Sequence, residues 1–232
     1  MIRNRRTTIA AALVALGGAW LWAPPSHAMN TKPMNLSDLV RESKQIVVGN
    51  VSAVEQGMGA NHLPYTDITV TVSESILGTS GTTLTFRQFG LQSALPAVDG
   101  RKYVGLVAGM PQYKVGAQVV LFLGNTSSLG YRTTIGLGQG KFELKGGNLQ
   151  NEVNNVGLFK DINLGRRYLD DKERHLVTTT QGAVGAETFL SFLKRAVNGK
   201  WWVAPVVKKT PTAVLPGSPT PNSVKLGGGS AQ

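Results

Sequence analysis

Between residues 65 and 76 the chain alternates strictly. Ile68, Val70 and Val72 fall on one side of an extended backbone, with Asp67, Thr69, Thr71 and Ser73 on the other. Period two is the pattern of a strand with one buried and one wet face, so this segment needs pairing neighbours and a core on one side. The neighbours are legible. Residues 45–54 predict a strand centred on Ile46-Val47-Val48, with Gly49 as a bulge. After the loop 55–64, the strand 65–76 and the turn 77–81, residues 82–89 predict a third strand with Leu84 and Phe86 inward.

Residues 117–123 are nearly all apolar, which predicts a strand that lies centrally. A strand over 130–135 is expected next. Residues 141–144 and 149–153 then form a hairpin across Lys145-Gly146-Gly147-Asn148. Two helices flank the strands. A short one carries Leu36, Leu39 and Val40 behind an Asn35 or Ser37 cap. An amphipathic one, 186–197, places Phe189, Leu190, Leu193 and Val197 on one stripe and ends at Asn198-Gly199. Residues 155–182 are polar and aperiodic. The fold class expected is mainly β: a small OB-like antiparallel β-barrel with a short N-terminal helix, a C-terminal amphipathic helix and a disordered tail.

The N-terminus reads as an address. Arg3, Arg5 and Arg6 precede an apolar run over 9–23, Pro24-Pro25 break it, and Ser26-His27-Ala28 supplies a small-x-small site. This predicts a signal peptide over 1–28, cleaved between Ala28 and Met29, and a periplasmic or secreted bacterial protein. Thr8 stands where a twin-arginine signal carries a bulky apolar residue, which favours the general secretory route. The domain is then 29–204, with a Pro/Gly-rich basic tail over 205–232. Export argues against ATP-dependent chemistry.

The formal charge is +11. Losing three arginines and no acid with the signal leaves +8, and residues 29–187 hold only +2 of it. The rest comes from Lys194, Arg195, Lys200, Lys208, Lys209 and Lys225. The strands are therefore nearly neutral, and any electrostatic role falls on the C-terminal arm. With no cysteine in 232 residues, disulfides, thiol nucleophiles and cysteine-ligated metals are excluded.

The strand and turn patterns carry a resemblance. Ser43-Lys44-Gln45-Ile46-Val47-Val48-Gly49-Asn50-Val51 resembles the opening of a bacterial exported domain family of unknown function. The likeness continues at Tyr65-Thr66-Asp67-Ile68-Thr69-Val70 and Ile76-Leu77-Gly78. It resumes at Tyr113-Lys114-Val115-Gly116-Ala117-Gln118-Val119-Val120-Leu121-Phe122-Leu123, at Ile135-Gly136-Leu137-Gly138-Gln139-Gly140-Lys141-Phe142 and in the last helix. It covers roughly 35–197 and bears on fold rather than chemistry. The layout also resembles the five-stranded OB-type barrel of netrin-like domains and tissue inhibitors of metalloproteinases. Those inhibitors chelate zinc through an N-terminal cysteine, and this chain has none. The resemblance implies a barrel and not that mechanism.

Catalytic signatures are missing. Gly136-x-Gly138-x-Gly140-Lys141 departs from a phosphate loop, which needs four residues between its glycines and a Ser or Thr after the lysine, where Phe142 stands. His62 and His175 have no nucleophile elbow beside them, and Asp171 with His175 supplies only two metal ligands. No carboxylate pair stands out by spacing, and Leu215-Pro216-Gly217-Ser218 lacks the Thr-Gly and apolar tail of a sortase signal. No cofactor or metal is expected.

Contact surfaces are the better prospect. The long connection 90–116 offers Tyr103, Met110 and Tyr113. Trp201-Trp202 can lock the last helix or offer a stacking platform beside Lys208 and Lys209. Phe86-Arg87-Gln88-Phe89 and Tyr131-Arg132 are isolated basic–aromatic instances, too few for a nucleic-acid surface. The expectation is a non-enzymatic envelope or extracellular binding module, with another exported protein or an anionic polysaccharide as partner. A regulator of a secreted peptidase and a hydrolase with an unrecognised site are the alternatives.

Overall fold

The computed structural model describes residues 32–60, 62–79, 81–98, 101–103 and 105–202. The expected signal peptide, Lys208, Lys209 and the expected tail lie outside the described residues. The chain forms α1 (Leu36–Glu42), β1 (Gln45–Met58), β2 (Pro64–Leu77), β3 (Thr83–Phe89), β4 (Leu95–Val98), β5 (Arg101–Tyr103) and β6 (Gln118–Leu123). A 3₁₀ turn (Leu137–Gln139) leads into β7 (Lys141–Lys145) and β8 (Asn148–Asn151). Then come α2 (Asp171–Val177), β9 (Val184–Gly185) and α3 (Ala186–Asn198).

Seven strands make one antiparallel sheet in the order β3-β2-β1-β6-β7-β8-β9, and β4–β5 stand apart as a small hairpin. The protein is thus mainly β, but the expected barrel is not closed: β3 and β9 are the two edges of an open sheet. The expected strand at 130–135 is also corrected. This segment crosses between β3 and β6 and makes one isolated bridge to each, Arg87↔Tyr131 and Leu123↔Thr134. Gly130 and Gly136 bound it with φ of 81° and 63°, conformations that end extended pairing at both sides. A ladder needs consecutive partners on one strand, and a crossing segment has one on each.

The register explains the burial. β6 alternates between two cores, Val120 and Phe122 facing one way, Val119, Leu121 and Leu123 the other. Hence its unbroken apolar sequence. The larger core packs α1 (Leu36, Leu39) and α3 (Phe189, Phe192, Leu193, Ala196) against Ile46, Phe122, Phe142 and Leu149. On the opposite face, Val47, Val51, Ile68, Val70, Phe86 and Tyr113 gather under β1–β3.

β1 and β2 run past the expected loop and pair from Ile46↔Leu77 to Met58↔Pro64. A register shift falls at Val48/Gly49, where an added Cβ would stand 2.3 Å from the Thr71 carbonyl oxygen. Within 155–182, α2 forms behind a capping box in which Asp170 accepts from the Glu173 amide and Glu173 accepts from the Asp170 amide. A short helix can start there without any apolar period. Among the described residues no helix is long and apolar enough to cross a membrane.

Candidate binding groove

The outward face of β2–β3 is set by register. Tyr65 stands opposite Phe89 and Asp67 opposite Arg87. Tyr65 also faces Gly57 on β1, and the missing Cβ matters: placed there, it would stand 3.0 Å from the tyrosine hydroxyl. Arg87 lies over the Tyr65 ring at 3.9 Å and donates to both Asp67 oxygens, at 2.8 and 2.6 Å. This is a fork-to-carboxylate pair with a cation–π contact on the same side chain.

The crossing segment brings a second aromatic–arginine pair to this edge. Arg132 donates its backbone N–H to the Arg87 carbonyl at 2.7 Å, and the Tyr131 ring meets Phe89 edge to face at 5.6 Å. A tight turn holds Tyr131, whose carbonyl accepts from the Ser127 amide and whose amide donates to the Ser127 hydroxyl. Two motifs isolated in the sequence therefore become neighbours in space.

Beside them opens a groove of about 480 Å³, lined among others by Glu42, Phe89, Met110, Tyr131, Arg132 and Thr133. The Arg132 guanidinium donates Nε to the Gly124 carbonyl at 2.8 Å and Nη1 to Gln45 Oε1 at 2.9 Å. No carboxylate among the described residues pairs with it, and burial pushes its pKa below the ordinary arginine value. Met110 reaches the groove from a strap held by polar contacts. Gln88 donates to the Pro111 carbonyl, Gln112 donates its amide to Glu152, and Tyr113 donates its amide to Gln92.

A second polar centre lies on β7–β8. Lys141 is only 2% exposed, and its ammonium donates to Glu143 at 2.7 Å and Glu152 at 3.1 Å. Lys145 reaches Glu143 at 2.6 Å, and the cluster borders a cavity of about 340 Å³. Burial alone raises the Glu143 pKa, but the hydrogen bonds and charges of Lys141 and Lys145 outweigh it and hold the carboxyl at about 2. Glu143 therefore carries no proton to donate at neutral pH. An acid–base role there would need the opposite shift. Behind the cluster, Tyr113 is 5% exposed with its ring 5.3 Å from the Lys141 nitrogen. Burial first, then the Glu152 charge, pushes its hydroxyl's pKa up, with Thr134 acting the other way.

The residues singled out in the sequence separate. Met110 lines the groove, whereas Tyr113 lies beneath the strap in the smaller core. Tyr103 closes β5. Trp202 is 8% exposed and donates to the Asn163 carbonyl at 3.2 Å. Trp201 packs on Phe192 and has Arg167 and Arg195 over its ring at 5.2 and 5.4 Å. Both tryptophans sit in the turn that follows α3.

His62 occupies a turn with φ 58°, and His175 lies exposed on α2, where Asp171 is taken up by Arg174. No group of three or more metal-ligating side chains occurs among the described residues. In the glycine-rich segment, Gly140 lies against Ile135 and Gly138 against Glu152, and only a 3₁₀ turn begins at Gly136. Tyr65, Asp67, Phe89 and Arg132 were not legible as a site. Phe89 and Arg132 had a signal in the two basic–aromatic motifs, more than 40 positions apart, whereas Tyr65 and Asp67 join them only through the register of β2 on β3.

Set against family models, curated proteins and solved structures, the chain finds no match in any of the three.

Proposed function

We propose that the chain is an exported, non-catalytic module that binds polysaccharide of the envelope or the extracellular medium through the groove beside β3. The observation that carries this reading is the Arg87↔Tyr131 bridge. It sets the Phe89 and Tyr131 rings and the Arg132 guanidinium around one open depression, with the Arg87–Tyr65 pair beside Phe89 on the same strand pair. Ring faces and edges suit the C–H surfaces of sugars, while fixed polar groups orient hydroxyls. The N-terminal segment and the resemblance of residues 35–197 to a bacterial exported domain family support the compartment.

The test is retention of the mature protein on immobilised neutral and acidic polysaccharides. At least one class is expected to retain it. Tyr131→Ala is expected to weaken that binding about tenfold, or ~1.4 kcal/mol. Absence of retention on every polymer, or equal retention of Tyr131→Ala, overturns the reading.

A further inference from the structure

We infer that the groove selects a carboxylated sugar, with Arg132 taking the carboxylate and Glu42 taking hydroxyls; this rests on the proposed polysaccharide reading. A guanidinium carries five N–H donors in a planar fork. In Arg132, Nε and one Nη1 hydrogen are spent on Gly124 and Gln45, and Nη2 makes no hydrogen bond to the described residues. Its immobilised neighbour, Arg87, is already matched by Asp67. Arg132 is thus a half-buried, oriented cation whose free donors await an acceptor, and a carboxylate matches such a fork with two parallel hydrogen bonds.

The groove's other charge decides what kind of anion fits. Glu42, exposed at the end of α1, also lines the groove and forms no ion pair among the described residues. Arg41 beside it is bonded to Asp38. One free cation and one free carboxylate leave the groove without net charge, so it is no general polyanion trap. A densely charged chain would meet Glu42 as a repulsion. A ring bearing one carboxylate and several hydroxyls satisfies both: acid to Arg132, hydroxyl donors to Glu42, and further hydroxyls to the Thr133 and Ser127 side of the groove. Met110 and the Phe89–Tyr131 pair form the apolar wall such a ring lies on.

The experiment titrates the mature wild-type protein with neutral oligosaccharides that carry a single galacturonate or a single mannuronate ring, with the methyl ester of each, and with an oligoglutamate peptide. At least one acidic sugar is expected to bind tenfold or more tighter than its ester and than the peptide. Glu42→Gln is expected to weaken that binding severalfold although it removes a negative charge, the reverse of what simple attraction of anions requires. Arg132→Lys is expected to abolish the preference for acid over ester. The wild-type comparison stands even if that variant folds poorly.

An ester that binds as well as its acid overturns the inference and leaves the polysaccharide reading standing. Equal binding of the peptide, or tighter binding by Glu42→Gln, also overturns it, in favour of a charge-driven site. If neither acidic sugar binds while a neutral polysaccharide is retained, the inference alone falls. If nothing is retained, the proposed function falls with it.

Discussion

Lys141 shows how one side chain is kept in a place its chemistry resists. A buried ammonium is costly unless its charge is met. Here Glu143 and Glu152 both meet it, and Glu152 approaches because Gly138 has no Cβ. One built there would stand 2.8 Å from the carboxylate. Glu152 also accepts the Gln112 amide, so the same carboxylate pins the strap that leads to Met110. The cluster has a pH consequence. Glu143 has an ordinary value of 4.5 when unfolded and about 2 when folded. Its contribution to stability is complete above about pH 4.5 and is lost as the pH falls toward 2. Melting temperatures between pH 5 and 2 are expected to fall for the wild type and to fall less for Glu143→Gln. Parallel curves would show that Glu143 is not the titrating group. No sequence pattern marked this site, because Lys141, Glu143 and Glu152 are ordinary charged residues until two strands and a bare glycine converge.

At the scale of elements, legibility tracked local physics. β2 alternates, β6 is apolar throughout, and the apolar stripe of α3 reaches the core as Phe189 and Leu193, joined by Phe192. These are properties that a strand or helix carries by itself. The segment at 130–135 misled because its composition suits a strand, whereas pairing is a property of neighbours. α2 went unread because its start depends on a capping box rather than on periodicity. α3 also fixes the aromatic centre of the larger core. Phe192 meets Phe159, Trp201 and Trp202 at ring distances of 5.5 to 6.5 Å. Phe192→Ala is expected to cost about 3–5 kcal/mol by the vacated volume and lost contacts, measured by urea unfolding. A cost under about 1 kcal/mol would mean that the ring cluster is not a tight core.

For the whole molecule, the question is where the fold ends. The two tryptophans belong to it: Trp202 is in the larger core and Trp201 packs against it, bracketed by two arginines. A chain ended after Lys200 is therefore expected to melt lower than one ended after Trp202, by about 3 kcal/mol or more in stability. Equal melting would remove the tryptophans from the core. What the sequence by itself determined was mainly local: a β-rich domain, a central apolar strand, two flanking helices and a near-neutral charge over 29–187. Those follow from alternation, propensity and counting, which neighbouring residues carry without help. Only the tertiary structure decided that the sheet stays open, that a crossing segment joins β3 to β6, and that Arg87 and Tyr131 share one edge. The reason is that strand order and side-chain convergence depend on long-range pairing. Local patterns say which face of a strand is buried, not which strand lies beside it.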